Sequence, residues 1–238
     1  MTVKHFMDGG YTVIKEADYL LAFDHGDLGY LSIAAHGHAD ALAIWLHING
    51  QPVIIDAGTY TYNGERKWRD YFRSTTAHNT LCINGESSSI MTGAFNWGEK
   101  ARCEVLSYDD GDCWHIEASH DGYVKRFGAT HSRRIEAVGD GVKIIDKLSG
   151  LLSAEADDVA ISFLIHPDLD VVRDGSECII SKDNTEILRM ENTAKCRIIC
   201  GDEEPIGGWY SPSFGKKIPA TQVVFYGDME FETVLRIV

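Results

Sequence analysis

The sequence predicts an all-β fold, a multi-stranded antiparallel β-sandwich with at most one short helix. Three observations predict it. Strand-like apolar runs are short and are separated by turn residues, as in stacked hairpins. Asn-Gly and Asp-Gly dipeptides stand between pairs of such runs, and a type I′ hairpin corner favours these residues because both central positions need positive φ. No segment sustains a long amphipathic helical period. The 238 residues are 44% hydrophobic with 5 prolines, a size that all-β sandwiches commonly reach as one unit. No repeat or low-complexity linker divides the sequence, so one domain over 1–238 is expected.

Taken in order, residues 42–48 meet 51–56 across Asn49-Gly50, 103–108 meet 113–118 across Asp110-Gly111, and 133–138 meet 142–147 across Asp140-Gly141. Leu81-Cys82-Ile83 alternates like a buried strand, which makes Cys82 a core residue. Further strands are expected at 159–166, 171–172, 178–181, 196–200, 223–226 and 233–238. Residues 202–220, rich in Gly and Pro, read as a long loop. The exception to strand patterning is 65–73, read as a short helix or turn. There Arg66, Arg69 and Arg73 follow i, i+3, i+7 as a basic stripe, with Trp68, Tyr71 and Phe72 on the apolar side. A solvated face on a connector is the plain alternative.

The balance of 22 basic against 36 acidic residues, a net charge of −14, argues against general nucleic-acid binding and against an anionic membrane surface. A polyanionic substrate would need a local basic patch, and 65–73 supplies one. No run approaches the roughly 20 apolar residues of a membrane helix, and residues 1–8 lack the apolar core of a signal peptide. The chain reads as soluble and as a candidate piece of a longer protein. Its six cysteines show no Cys-x-x-Cys spacing, so neither a zinc ribbon nor a thioredoxin-like site is indicated.

Chemistry concentrates in His36-Gly37-His38-Ala39-Asp40, in Asp56 at the end of an apolar run, and in His78 beyond the basic segment. If 36–40 is extended, His36, His38 and Asp40 share one face. Two imidazoles with one or more carboxylates suit zinc or another borderline divalent ion, whereas calcium and magnesium want more oxygens. His-x-His alone is weak evidence, because histidine is common at half-exposed strand positions.

Three motifs then stand together: His-Gly-His-x-Asp from His36, Asp-x-Gly-Thr-Tyr-x-Tyr from Asp56, and Trp-Arg-x-Tyr-Phe-Arg-Ser-Thr-x-Ala-His-Asn-Thr from Trp68, closing on Asn84-Gly85-Glu86. Dense from about residue 8 to 97, this block resembles the C-terminal β-sandwich of the heparinase II/III-like polysaccharide lyases, a supersandwich-like fold. The resemblance implies His38, Asp56 and His78 as ligands of a mainly structural zinc, and His36 as the histidine that faces substrate and assists elimination. Tyr60, Arg73 and Asn79 fall in the shared motifs as cleft residues or as supports of the fold. With Arg66 and Arg69 they complete the expected substrate-binding set. It further implies β-elimination in an acidic, uronate-containing polysaccharide of the glycosaminoglycan or alginate kind, a periplasmic or secreted location, and an N-terminal helical toroid carrying the remaining catalytic groups. That toroid has no counterpart in this sequence, so the isolated chain is expected to be inactive or weak.

Two other readings fit some of the same residues. His38-x-Asp40 with His78 also spells the facial triad of a non-haem iron oxygenase, with Asp56 reduced to a turn residue. A non-catalytic carbohydrate-binding sandwich would use Trp45, Trp68 and Trp97 as stacking platforms, although burial is the usual fate of aromatics. His47, His115, His120, His131 and His166 stand singly and read as surface or core histidines. No phosphate loop or Gly-x-Ser-x-Gly elbow is present.

Overall fold

The computed structural model describes residues 1–29, 33–151, 158–227 and 229–238. The chain opens with β1 (Thr2–Phe6), β2 (Tyr11–Lys15), β3 (Tyr19–Asp24), β4 (Ile44–Ile48) and β5 (Gln51–Ile54), an antiparallel five-stranded sheet in sequential order. Helix α1 (Arg66–Arg73) and the short strand β6 (Leu81–Ile83) follow. Strands β7 (Cys103–Asp109) and β8 (His115–His120) are followed by the helical turn α2 (Val124–Phe127), β9 (Ala129–Val138) and β10 (Gly141–Gly150). After β11 (Val159–Leu164) come β12 (Asp170–Asp174), β13 (Glu177–Lys182), β14 (Thr185–Glu191) and β15 (Lys195–Cys200). The chain ends with β16 (Asp202–Glu203), β17 (Ile206–Gly207), β18 (Trp209–Ser213), β19 (Lys216–Pro219), β20 (Thr221–Gly227) and β21 (Glu230–Ile237).

Two further sheets of four or more strands accompany the first. One has eight strands in the order β12-β13-β14-β21-β10-β9-β8-β7, the other four in the order β15-β20-β11-β6. The five- and four-stranded sheets join where β5 runs beside the end of β11 past its pairing with β6, because Ile55 N–H donates to Leu164 O at 2.9 Å and His166 N–H to Val53 O at 3.0 Å. Side chains alternate across each strand, so the inward sets of all three sheets merge. Ile14, Phe23 and Leu46 of the first meet Ile135, Ile144 and Leu235 of the second and Ile161, Phe163 and Phe225 of the third in one apolar core. The all-β class, with a single helix longer than one turn among the described residues, is as the patterning predicts.

Turn chemistry is partly as expected. Asn49 and Gly50, at φ 49° and 77°, make the two-residue corner between β4 and β5. The other two corners differ. Strands β9 and β10 turn at Gly139-Asp140, with Val138 facing Gly141, so Gly141 belongs to the strand. Its missing side chain is required there, since a Cβ would stand 1.9 Å from Leu235 O. Between β7 and β8 the connection spans residues 110–114, and Gly111 N–H caps the Asp109 carboxylate at 2.7 Å. The segment 202–220 is not a loop. It folds into two ribbons, β16-β17 and β18-β19, and β18 packs on the site through Ser211 N–H to Ala57 O at 2.8 Å.

Candidate metal centre and cleft

The segment around the histidine motif is not a strand. Residues 33–43 form turns, with Ala34 and Leu42 at φ 47° and 63°, so His36, His38 and Asp40 do not share a strand face. The loop is held by its surroundings instead. Ala39 N–H donates to Arg73 O at 2.9 Å, Thr75 Oγ1 to Ala39 O at 2.6 Å, and Thr80 Oγ1 to Ala41 O at 2.8 Å. These bonds seat the loop against the end of α1 and the turn that carries His78.

Three segments converge there. His38 comes from the loop, Asp56 from the residues just past β5, and His78 from the residue after the 3-10 turn Thr75–Ala77. One nitrogen of each imidazole and one Asp56 oxygen lie within 4.8 Å of one another. His78 Nδ1 is 2.8 Å from Asp56 Oδ1, and the two imidazole rings are 5.1 Å apart. Asp56 Oδ2 accepts Gly58 N–H at 2.7 Å, and Thr59 Oγ1 is 3.2 Å from His38 Nε2. The cluster is therefore His38, Asp56 and His78. Asp40 is not a member of it.

Electrostatics favour a cation at this point. Burial, reinforced by the neighbouring His78, pushes His38 down to about 3, leaving a neutral imidazole with a free lone pair. Burial opposes a proton on His78, yet the charge and hydrogen bond of Asp56, with Asp40 behind it, raise it to about 8. Burial would raise Asp56, but the charge and hydrogen bond of His78, then His38 and Gly58 N–H, hold it well below the ordinary carboxylate range. Two nitrogens and one oxygen match the donor set of a zinc ion with an open fourth position. Moreover, His78 Nε2 is buried without a hydrogen-bond partner. The residues fit a divalent metal, and the proton that Asp56 draws onto His78 marks where positive charge is wanted.

His38 and Asp40 line a cavity of about 640 Å³, and exposed His36 stands at the same wall. His36 Nδ1 is 3.0 Å from the Tyr62 hydroxyl, and its ring meets Phe95 edge-on at 6.1 Å. The cavity wall is acidic. Asp8, Asp24, Asp27 and Asp40 line it, with no Lys or Arg among the described lining residues. Burial, with the charge of Asp40, pushes Asp24 up to about 8, and burial raises Asp40 to about 6.

The expected basic stripe takes a different form. Arg66 is exposed and paired with Asp70 at 2.9 Å, whereas Arg69 and Arg73 are 2% and 0% exposed. Arg69 donates to Ala94 O and Ala35 O and lies over Tyr62 and Phe95. Arg73 donates to Gly93 O and lies over Trp97. These guanidiniums fasten the histidine loop and residues 93–97 rather than forming an open stripe. Asn79 is buried with its amide spent on Ile44 O, Ile55 O and Leu164 N–H. Tyr60 packs against Trp68 and Phe72 beside a smaller cavity of about 330 Å³. Of the tryptophans, Trp68 is buried and Trp97 donates to Ala34 O.

Sequence reasoning missed two contributors. Tyr62 was within a quoted motif, and its place two residues from Tyr60 was the available signal. Arg133, on β9, is fully buried. It forks onto Asp146 of β10 at 2.8 and 3.0 Å and donates to Leu42 O at 2.7 Å and Asn79 O at 2.6 Å, flanking the loop and His78. Nothing in the local sequence marks it.

A β-sandwich that gathers two histidines and an aspartate beside an acidic cavity is the class defined so far. The chain belongs to the heparinase II/III-like family, as its C-terminal domain, with residues 2–238 matched. Among solved structures, heparinase III has a TM-score of 0.80 at 19% identity, covering 100% of this chain and 37% of that one. The heparinase III BT4657 gene product has a TM-score of 0.79 at 18% identity, covering 99% and 36%. Heparan sulfate lyase HepC from Pedobacter heparinus has a TM-score of 0.78 at 16% identity, covering 99% and 36%. At these identities the likeness establishes the fold, and the chain spans little more than a third of each solved chain. No curated protein matches the sequence.

Proposed function

We propose that this domain is one wall of the catalytic cleft of a polysaccharide lyase that cleaves uronate-containing glycans by β-elimination. The observation that carries the reading is exposed His36, hydrogen-bonded to Tyr62 beside the His38, Asp56 and His78 cluster. In such a reaction a base removes the C5 proton of the uronate, the C4–O bond breaks, and the departing oxygen gains a proton. The product is a 4,5-unsaturated uronate. Because C5–H is a weak acid, the adjacent carboxylate must be neutralised as the carbanion develops. An acidic cavity wall does not serve that purpose, so the neutralising groups belong to the helical toroid of the full-length protein. His36 has reach from the exposed side, with Tyr62 fixing the orientation of its ring. His38, Asp56 and His78 would hold zinc, whose contribution is to tie the three segments together so that His36 is presented in one place.

The test begins with metal content by elemental analysis of wild type, Asp56→Ala and Asp40→Ala. Stoichiometric zinc in wild type, lost in Asp56→Ala and kept in Asp40→Ala, supports the proposed ligand set. Iron lost only with Asp40→Ala would move the site to the oxygenase class. In the full-length protein, His36→Ala should keep its zinc and lose at least about 100-fold in formation of unsaturated product.

A further inference from the structure

The chain leaves the eight-stranded sheet after β14 and enters the four-stranded sheet at β15, and the crossing is held firmly. Asn192 N–H donates to Ser176 O at 3.1 Å, Asn192 Nδ2 to Thr233 Oγ1 at 2.9 Å, and Ala194 N–H to Asn192 Oδ1 at 2.8 Å. Cys178 follows Ser176 by two residues on β13, and Cys196 lies at the start of β15. Their sulfurs are 3.8 Å apart. No other pair among the six cysteines comes within hydrogen-bond reach among the described residues. The strands concerned lie at one flank of the sandwich: β15 is the edge of its sheet, and β13 is next to the edge of its own.

We infer that Cys178 and Cys196 are a site of oxidative cross-linking, a disulfide that staples the two layers of the sandwich together along this flank. The two thiols divide the chemistry. Cys196 is half-buried and meets an incoming disulfide, whereas Cys178 is wholly buried with Cys196 and Arg173 against its sulfur. Access rather than acidity makes Cys196 the entry point, since its contact with Cys178 and burial raise its thiol; on losing its proton, Cys196 Sγ attacks an oxidant of the disulfide class, R–S–S–R, forms a mixed disulfide and expels one R–S⁻. Cys178 then attacks Cys196 Sγ, forms the intramolecular bond and expels the second R–S⁻. The two thiol protons end on two R–SH, and two electrons pass from the cysteine pair to the oxidant. The second step is favoured because the contact with Cys196 and the Arg173 guanidinium, 3.7 Å from Cys178 Sγ, lower the Cys178 thiol from its usual value. Cys82 has the opposite setting, since burial pushes its thiol up to about 12. A chain exported to an oxidising compartment would carry the bond, and the same chain in a reducing cytosol would not.

The purified chain is incubated with excess oxidised glutathione, alkylated, digested without reductant and mapped by mass spectrometry, with thermal unfolding followed in parallel. The expected result is a peptide pair joined through Cys178 and Cys196, loss of two of the six titratable thiols, and a midpoint raised by about 5 °C or more. Cys196→Ser should show neither the link nor the rise, and reduced wild type serves as its folding reference. Cys196 persisting as a glutathione adduct beside an alkylatable Cys178, or linked instead to Cys200, would overturn the assignment.

Discussion

His120, His131 and Asp146 form a buried chain whose protons are fixed by its ends. Gly122 N–H donates to His120 Nδ1, so His120 Nε2–H donates to His131 Nδ1 and His131 Nε2–H to Asp146. Burial keeps both rings neutral, His120 well below the usual histidine range and His131 lower as well. A group whose pKa is depressed in the folded state takes its proton only on unfolding, so its contribution is present above about 6.5 and is lost as pH falls. Stability should therefore drop from about pH 6.5 toward 5.5, with His120 alone contributing about 1 kcal/mol of the loss. Urea unfolding at several pH values checks it: His120→Gln should flatten that slope, and an unchanged slope would refute the proton arrangement. At this scale the sequence was informative where a motif carried the residue. His38, Asp56 and His78 were legible as a set because each sits in a distinctive string of the motif block, while the turns that bring them together were not. Helical spacing makes Arg69 part of an expected basic stripe, and the shared motifs make Arg73 and Asn79 cleft residues or supports of the fold. Burial turned them inward, and a helical spacing cannot say which arginines find backbone carbonyls.

Among the connecting elements, glycine separates two kinds of requirement. Gly58, at φ 78°, donates to Asp56, and a Cβ there would stand 2.4 Å from Ser211 O on β18. Gly85, at φ 69°, has nothing within 4 Å of the same position. Alanine at Gly85 should cost only the left-handed strain, about 1 kcal/mol. At Gly58 the added methyl must also push β18 away from the Asp56 segment, so the loss should be at least about twice as large and should be accompanied by weaker zinc retention. Equal losses in chemical denaturation, with equal zinc, would show that β18 does not brace the site. The turns also explain which strands were legible. Asn49-Gly50 announced its hairpin because both residues are favoured at positive φ. The β13-β14 corner uses Asp183-Asn184, at φ 50° and 64°, without glycine, and β14 went unread. Of the two ribbons in 202–220, β16-β17 was hidden because its strands are only two residues long, too short for alternation to register, and β18-β19 because Pro212 and Pro219 stand within strands of five and four residues.

On the scale of the whole molecule, the fold class was legible because alternation and turn chemistry recur along the entire chain, while the division into layers was not, because it rests on contacts far apart in sequence. Arg133 makes two such contacts, donating to Leu42 O and Asn79 O, 91 and 54 residues away. It carries charge from the eight-stranded sheet to the loop and turn of the candidate metal centre. Charge distribution has a further consequence at this scale. The chain carries −14 overall, the cavity beside His38 is walled by four aspartates, and Arg69, Arg73 and Arg133 around the site are buried. A polyanion approaching this face alone meets repulsion, which is strongest at low ionic strength, where screening is weakest. The isolated chain should therefore pass through a heparin column at about 20 mM salt even when loaded with zinc, and form no unsaturated product. On the proposed reading, a full-length lyase should be retained and should elute as salt rises, because the basic groups that offset this wall would lie on the helical toroid. Retention of the isolated chain at low salt would place the anion-binding surface on the sandwich itself and would remove the reason for assigning carboxylate neutralisation to the other domain.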